Sequence, residues 1–515
     1  MNLTRRNFLR LGGLTAVAAG TTGCSVVGRE LVQRELPEAL WVPTAVPGTP
    51  PLTQAAPDLP TLAVNPVRRL LNRAGYGPTP GEVARAEQLG LAAYLEEQLN
   101  PESIDDLAGD LIARHQSLYQ MDASILVEQE PQDGAVELIG STLMRAIYSK
   151  RQLYEAMVEF WSDHFNIYLR KEEVMPLAKI VDDREVIRPY ALTNFRDLLG
   201  ASAKSPAMLL YLDNISNEQS HPNENYAREL LELHTLGVDG GYTQRDVQEV
   251  ARVLTGWTVA KRGRLRGQFV FDEDVHDFGE KQILGQTFPA GRGEAEVEEL
   301  LDLLASHPST ATFLATKLVR RFVADEPPPD LIRQVAEAYR QNNGAIKPML
   351  QVIFLSEEFA TAPPKLKRPH TYMVSALRAL RVDFSLGRGR AIGDWMQTMG
   401  QPLFQWPPPD GYPDIASAWA ANLLPRWNFA VALLHSEIPG ATVPLDDLLA
   451  AGGVTTVESA LQLVAGLVYG RSLQPNELEL FTADIGGQPI HNGEGQLRLR
   501  DCIALMLASP EFQWT

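Results

Sequence analysis

The sequence predicts an all-α fold: a large multi-helix body, with room for two packed helical subdomains meeting near 257–310 and a long loop or small hairpin near 257–292. Three observations lead there. After residue 66, apolar residues recur three and four positions apart through most of the chain, the spacing that places them on one helical face. Helix starts are explicit: Thr79-Pro80-Gly81-Glu82 sets a hydroxyl, an early proline and a carboxylate three residues on, and Thr243-Gln244-Arg245-Asp246 repeats the box after Gly240-Gly241. Alternating β-branched runs, the mark of strands, are nearly missing.

A chain of 515 residues with 45% hydrophobic content supplies a large core and exceeds what one core usually holds. Its 46 Lys and Arg against 64 Asp and Glu give a net charge of −18, without a basic block to follow a phosphate backbone. Nucleic acid is therefore not expected as a partner. No apolar run approaches the roughly eighteen residues that would cross a bilayer.

Taken in order, residues 1–24 come first. Arg5 and Arg6 precede Phe8, Leu9 and a short, weakly apolar Gly/Ala stretch, which resembles a twin-arginine export signal. That resemblance implies a protein folded before crossing the membrane and delivered to the periplasm or exterior, by a route used where a cofactor must be inserted first. Gly23-Cys24 resembles a lipoprotein-processing site with Cys24 as lipid acceptor, although Thr21 stands where an aliphatic residue is usual; cleavage without lipid after Ala18 or Ala19 is the alternative. The only other cysteine is Cys502, so an acylated Cys24 excludes an intramolecular disulfide. Residues 25–65, proline-rich from about 37, read as an extended linker that cannot bury a core. The helical domain, 66–515, is then held off a membrane surface by its lipid anchor.

Within that domain the periodicity predicts helices near 81–99, 105–120, 135–168, 176–188, 193–212, 223–236, 244–256, 295–305, 309–323, 329–342, 346–357, 368–381, 415–436, 456–469, 475–484 and 497–509. A faint repeat links "MLQVIFLSEEF" (349–359) with "CIALMLASPEF" (502–512): each ends an apolar helix in Ser-x-Glu-Phe. Duplicated helical units, or simply two helix ends fixed by a phenylalanine, account for it equally well.

The stretch "NENYARELLELHTLG" (223–237) carries more charge than a core helix needs. At about 100° per residue, Tyr226, Leu230, Leu233 and Gly237 share one face, with Ala227 and Leu231 beside it, and Asn225, Arg228, Glu229 and Glu232 share the opposite one. Glu224, Arg228 and Glu232 fall at i,i+4 steps, so a ladder of exposed ion pairs accounts for them without chemistry. His234 sits about 200° from Glu232 and cannot join Glu229 and Glu232 as a metal ligand on one straight helix. In "LYEAMVEFWSDHFNIYL", His164 lies in an aromatic stripe with Phe160 and Trp161, while Glu159 and Asp163 fall on the other flank and are expected to be solvated. In "FDEDVHDFGEKQILG", an acidic loop carrying His276 and Asp277 has the chemistry to ligate a divalent cation, or is a loop pinned by His276 and Lys281. In "WPPPDGYPD", prolines stiffen a loop displaying Trp406, Asp410, Tyr412 and Asp414, aromatic faces beside carboxylates that suit a sugar ring as well as turn packing. No phosphate-cradling glycine loop, Gly-x-Ser-x-Gly elbow or His-Glu-x-x-His helix is present.

Taken together, "RRLLNRAGYGPTPGEV", "FWSDHFNI", "NFRDLLGASAKSPAMLLYLDN", "NENYARELLELHTLGVDGGYTQRDVQEVARVLTGW", "HDFGEKQILG", "KRPH" and "WPPPDGYPD" resemble, in order and spacing, the blocks of the bacterial exported family known as Domain of Unknown Function 1800. The resemblance runs from about residue 66 to the C-terminus and brings no reaction with it. It implies that Asn223 to Arg228, Glu229, Glu232, His164, His276, Asp277, Lys281 and Asp410 to Tyr412 belong to motifs the family keeps. It also implies a neighbouring exported protein resembling sulfatases as a partner.

Two functions follow as expectations. The first is a metal- or cofactor-assisted hydrolase of the cell envelope, with Asn225, Arg228, Glu229 and Glu232 as the catalytic face and His164, His276 and Asp277 as ligands. The sequence specifies no cofactor; a divalent metal is what this donor set would take. The second is a non-catalytic module binding a glycan or an exported protein through Trp406, Asp410 and Tyr412, its charged motifs serving as buried ion pairs.

Overall fold

The structure, a computed structural model, describes residues 65–384, 389–486, 488–491 and 493–515. The paired arginines, Cys24 and the expected linker up to residue 64 lie outside the described residues.

The described chain is an all-α body, its β-structure limited to three two-stranded antiparallel ribbons. Two of the ribbons fall in the segment that departs from helical periodicity: Trp257–Val259 pairs with Phe269–Phe271, and Lys281–Ile283 with Gln286–Phe288. Just before the first ribbon Gly256, at φ +78, has the carbonyl of Asp272 where a side chain would stand, so the turn into that ribbon needs a residue without a Cβ.

Several long periodic stretches break where local chemistry competes with the helix. The stretch 135–168 divides into Pro131–Tyr148 and Gln152–His164, because Ser149 Oγ donates to Asp106 and accepts from the amide of Arg151. The stretch 193–212 divides into Phe195–Ala203 and Pro206–Tyr211 at Ser205-Pro206, where proline forces its predecessor out of the helical region. Met175–Asp182 runs on through a π-turn, Asp183–Ile187. Helices at Gly389–Thr398 and Leu445–Ala451 carry too short an apolar period to be recognised in sequence.

Two apolar cores lie side by side, and the chain passes between them instead of dividing once near 257–310. Residues 67–99 enter the first core, except Tyr76, and Ile112 to Ile147 the second; the chain then returns mainly to the first from Leu153 to Ala362, Leu169 reaching into the second, and ends in the second from Tyr372 to Phe512. Met175–Asp182 serves both: Met175 and Ala178 belong to the first core, Leu177, Ile180 and Val181 to the second. The two Ser-x-Glu-Phe segments make the same local turn, one in each core. Ser356 Oγ accepts from the amide of Phe359, Ser509 Oγ from that of Phe512, and both rings are buried.

Gln152–His164 packs along the seam and is buried on nearly every side, the condition of a helix with structure all round it. This corrects the expectation for its polar flank. Glu155 and Glu159 are buried, and the Asp163 carboxylate is only 20% exposed.

Candidate functional site

Buried carboxylates must be neutralised by protein groups, and around Glu159 the chain supplies several. Arg368 binds Glu159 Oε1 through one nitrogen and Asp163 through another, 2.8 Å away. Arg321 spans Glu159 Oε2 at 2.9 Å and Asp414 at 3.0 Å. The Tyr76 hydroxyl donates to Glu159 at 2.9 Å, and His370 Nδ1 stands 3.2 Å from its other oxygen. Burial alone would raise the Glu159 carboxyl, but Arg368, Arg321 and His370 hold it well below the usual carboxylate range. Asp163 goes the other way: burial, reinforced by the Glu159 and Asp414 charges, pushes it up to about 6 in spite of Arg368.

Asp163 lies at the open end of this network. Lys317, from Pro308–Phe322, is partly exposed beside it, pushed down to about 8 by burial against the pull of Asp414, Asp163 and Asp410. Its ammonium lies 5.6 Å from the Phe313 ring centre and has no hydrogen bond or ion pair among the described residues. Behind it His164 and His234 are buried, ring centres 6.2 Å apart, among Phe165, Phe195 and Phe313. Burial first, and the Lys317 charge second, keep both neutral: His164 well below its ordinary value, His234 lowered to about 3.

The proline-rich loop covers one side of this opening. Asn166 Nδ2 donates to the carbonyls of Trp406 at 2.9 Å and Pro408 at 2.7 Å, and the Tyr211 hydroxyl to that of Pro407 at 2.7 Å. Trp406 Nε1 donates to Asp410 at 2.8 Å. Tyr412 is buried under Trp406, ring centres 5.0 Å apart, and Asp414 is turned inward onto Arg321, so the expected display of four side chains reduces to Trp406 and Asp410.

Glu224–Glu232 faces the same opening with part of its polar side. Its buried face is the expected one in Tyr226, Ala227, Leu230 and Leu231, while Leu233, expected with them, falls just past the helix end and is only partly buried. Glu229 lies within the field of Glu232, Arg228 and Asp410 and has no hydrogen-bond partner among the described residues; burial, with Glu232 next, raises its carboxyl. The other three residues expected with it are engaged. Arg228 pairs with Glu224 at 3.1 Å and Gln244 at 3.0 Å; Glu232 accepts from the Tyr242 hydroxyl at 3.2 Å; Asn225 donates to the Leu212 carbonyl at 3.2 Å.

His276 and Asp277 stand elsewhere. His276 Nε2 is 3.0 Å from Glu296, which also holds Lys281 at 2.6 Å, and all three side chains are fully buried. Asp277 pairs with Arg252 at 2.7 Å, and burial, which would raise it, is outweighed by that bond. The rings around His276, Phe271 and Phe278, are not those around His164. Among the described residues no three His, Cys, Asp or Glu side chains converge on a position that could hold a metal ion.

Sequence reasoning gave no role to Arg321, Arg368, His370 and Lys317, and read Glu159 and Asp414 as exposed carboxylates and not as members of a buried network. "KRPH" and "WPPPDGYPD" contain three of them and were recognisable as motifs; Arg321 and Lys317 sit in an ordinary amphipathic helix and carry no signal.

The sequence profile of the family described as "Protein of unknown function (DUF1800)" matches residues 69–514. No curated protein and no solved structure matches the chain.

Proposed function

The chain belongs to the family described as "Protein of unknown function (DUF1800)", and from the site that its motifs build we propose a hydrolase of the cell envelope that works by acid–base chemistry between Asp163 and Lys317. One observation carries the reading: Lys317, a residue only partly covered by its neighbours, holds its ammonium in the field of Asp163, Asp410 and Asp414 while paired with none of them. A charge left unneutralised at a mouth of carboxylates is available to a substrate. Asp163 and Lys317 are each displaced toward neutrality, so near pH 7 the carboxylate can accept a proton while the ammonium can give one. In the proposed step, water attacks the scissile centre, its proton passes to Asp163, and the leaving group takes a proton from Lys317. Both residues return to their starting states by exchange with solvent. Glu159, Arg368 and Arg321 hold Asp163 in place and take no proton. No step passes through a metal, since His164, His276 and Asp277 are not gathered at this opening.

The twin-arginine and lipoprotein resemblances support export to the periplasm or exterior with Cys24 as the membrane tether, and Cys24→Ser is expected to release the protein from membranes. The test of the activity is a panel of chromogenic esters, glycosides, phosphates and sulfates with wild type, Asp163→Asn and Lys317→Met. The expected result is one turnover lost about 100-fold or more in both variants. No turnover from folded wild type, or turnover indifferent to both changes, sinks the hydrolase. The non-catalytic binding module, with a sulfatase-like exported protein or glycan as partner, would then stand. It draws support from the engagement of Arg228 and Glu232 by protein groups.

A further inference from the structure

From the Trp406 loop, we infer that this site takes a neutral carbohydrate chain, with the indole of Trp406 as the platform for a sugar ring. The inference rests on the hydrolase site above and names its substrate class.

The loop is held more firmly than a surface connection requires. Two donors from Asn166 and one from Tyr211 engage its carbonyls, its own Tyr412 hydroxyl donates outward to the carbonyl of Pro402, and Gly411 is seated on the backbone of Asp163. Pro407, Pro408 and Asp410 are nevertheless exposed and bury little themselves. What the anchoring fixes is the orientation of Trp406. Its N–H is spent on Asp410, its lower side rests on Tyr412, and it remains partly exposed. Such an indole offers a rigid π-surface and no hydrogen bond of its own, which suits the C–H face of a pyranose and costs little entropy on binding.

The surrounding charge selects among ligands. Asp410 and Glu229 are acceptors with free capacity, matched to hydroxyl donors. A phosphorylated or otherwise anionic chain would meet Glu229, Glu232, Asp410 and Asp163 against Lys317, Arg320 and an Arg228 already paired with Glu224, and would be disfavoured beside a neutral one. A neutral, hydroxyl-rich chain meets a stacking surface, acceptors and one donor.

The experiment is a fluorescence and calorimetric titration of full-length Asp163→Asn protein, which retains the platform without turnover, using hexamers of N-acetylglucosamine, glucose and xylose. The expected result is saturable binding of at least one, insensitive to salt, weakened about tenfold or more by Trp406→Ala and largely retained by Trp406→Phe. No saturable binding to any of the three, equal binding by Trp406→Ala, or binding only of an oligolysine control with suppression by salt would overturn the inference. The two proposals fail separately. Sugar binding through Trp406 without cleavage by wild type keeps the platform and removes the hydrolase. Turnover of a non-sugar substrate that depends on Lys317, without sugar binding, keeps the hydrolase and removes the platform.

Discussion

Gly411 lies directly on the main-chain carbonyl of Asp163, at φ +76, where a Cβ would overlap that oxygen. The loop and the helix end that carries Asp163 are thus in backbone contact. Gly411→Ala is expected to cost about 3 kcal/mol or more, combining left-handed strain with a clash that neither backbone can yield to. Gly263→Ala, at φ +78 with open space around it, should cost only about 1 kcal/mol. Urea unfolding of the two variants checks the difference.

Glu159 joins Arg368, Arg321, His370 and Tyr76. Removing it leaves two buried guanidiniums without their shared anion. Glu159→Ala is therefore expected to lose about 3–5 kcal/mol, and Glu159→Gln to recover only part of it. A loss below about 1 kcal/mol in denaturant titration would mean that water replaces the carboxylate.

His164 and His234 are neutral in the folded chain, with pKa values below the unfolded value near 6.5. The unfolded state then binds protons that the folded state refuses, so stability falls as pH drops from about 6.5 toward 3, by about 1.4 kcal/mol per unit for each histidine. Asp163 works oppositely. Its raised folded pKa makes the folded state lose stability as pH rises from about 4 to 6. His234→Gln should flatten the acid loss seen in unfolding midpoints between pH 4 and 6.5, and Asp163→Asn should steepen it.

If Asp163 is the base and Lys317 the acid, kcat/KM rises through about pH 6 as Asp163 ionises and falls through about pH 8 as Lys317 loses its proton. Lys317→Arg, protonated throughout, should move the alkaline limb upward while leaving the acid limb in place. Independently of any substrate, limited acetylation near pH 7.5 followed by peptide mapping should modify Lys317 ahead of lysines at their ordinary pKa.

The contrast between Glu229 and Asp163 shows where sequence reading succeeds. Tyr226, Leu230 and Leu231 could be assigned a buried face, and Glu229 an opposite one, because a single helix resting on a single core obeys its own periodicity. Gln152–His164 obeys the same periodicity, and its polar flank was assigned to solvent for the same reason. It is buried because a second core closes over that flank, built from residues 372–512. Nothing local to Glu159 records this; its partners Arg321 and Arg368 are each more than 150 positions away in sequence. Most helices were legible, Gly389–Thr398 and Leu445–Ala451 excepted, and the break at Ser149 was not, since a side chain capturing a backbone group leaves no trace in hydrophobic spacing.

The passage of the chain back and forth between its cores has a consequence for synthesis. Helix Pro131–Tyr148 emerges early with Leu138, Leu143 and Ile147 committed to a core whose other wall, Tyr372 to Phe512, is translated last. At about 5–20 residues per second the ribosome leaves that apolar face uncovered for tens of seconds. Over that interval the nascent chain would need a holding chaperone, and truncation anywhere before the final helices should yield an aggregate in place of a half-molecule.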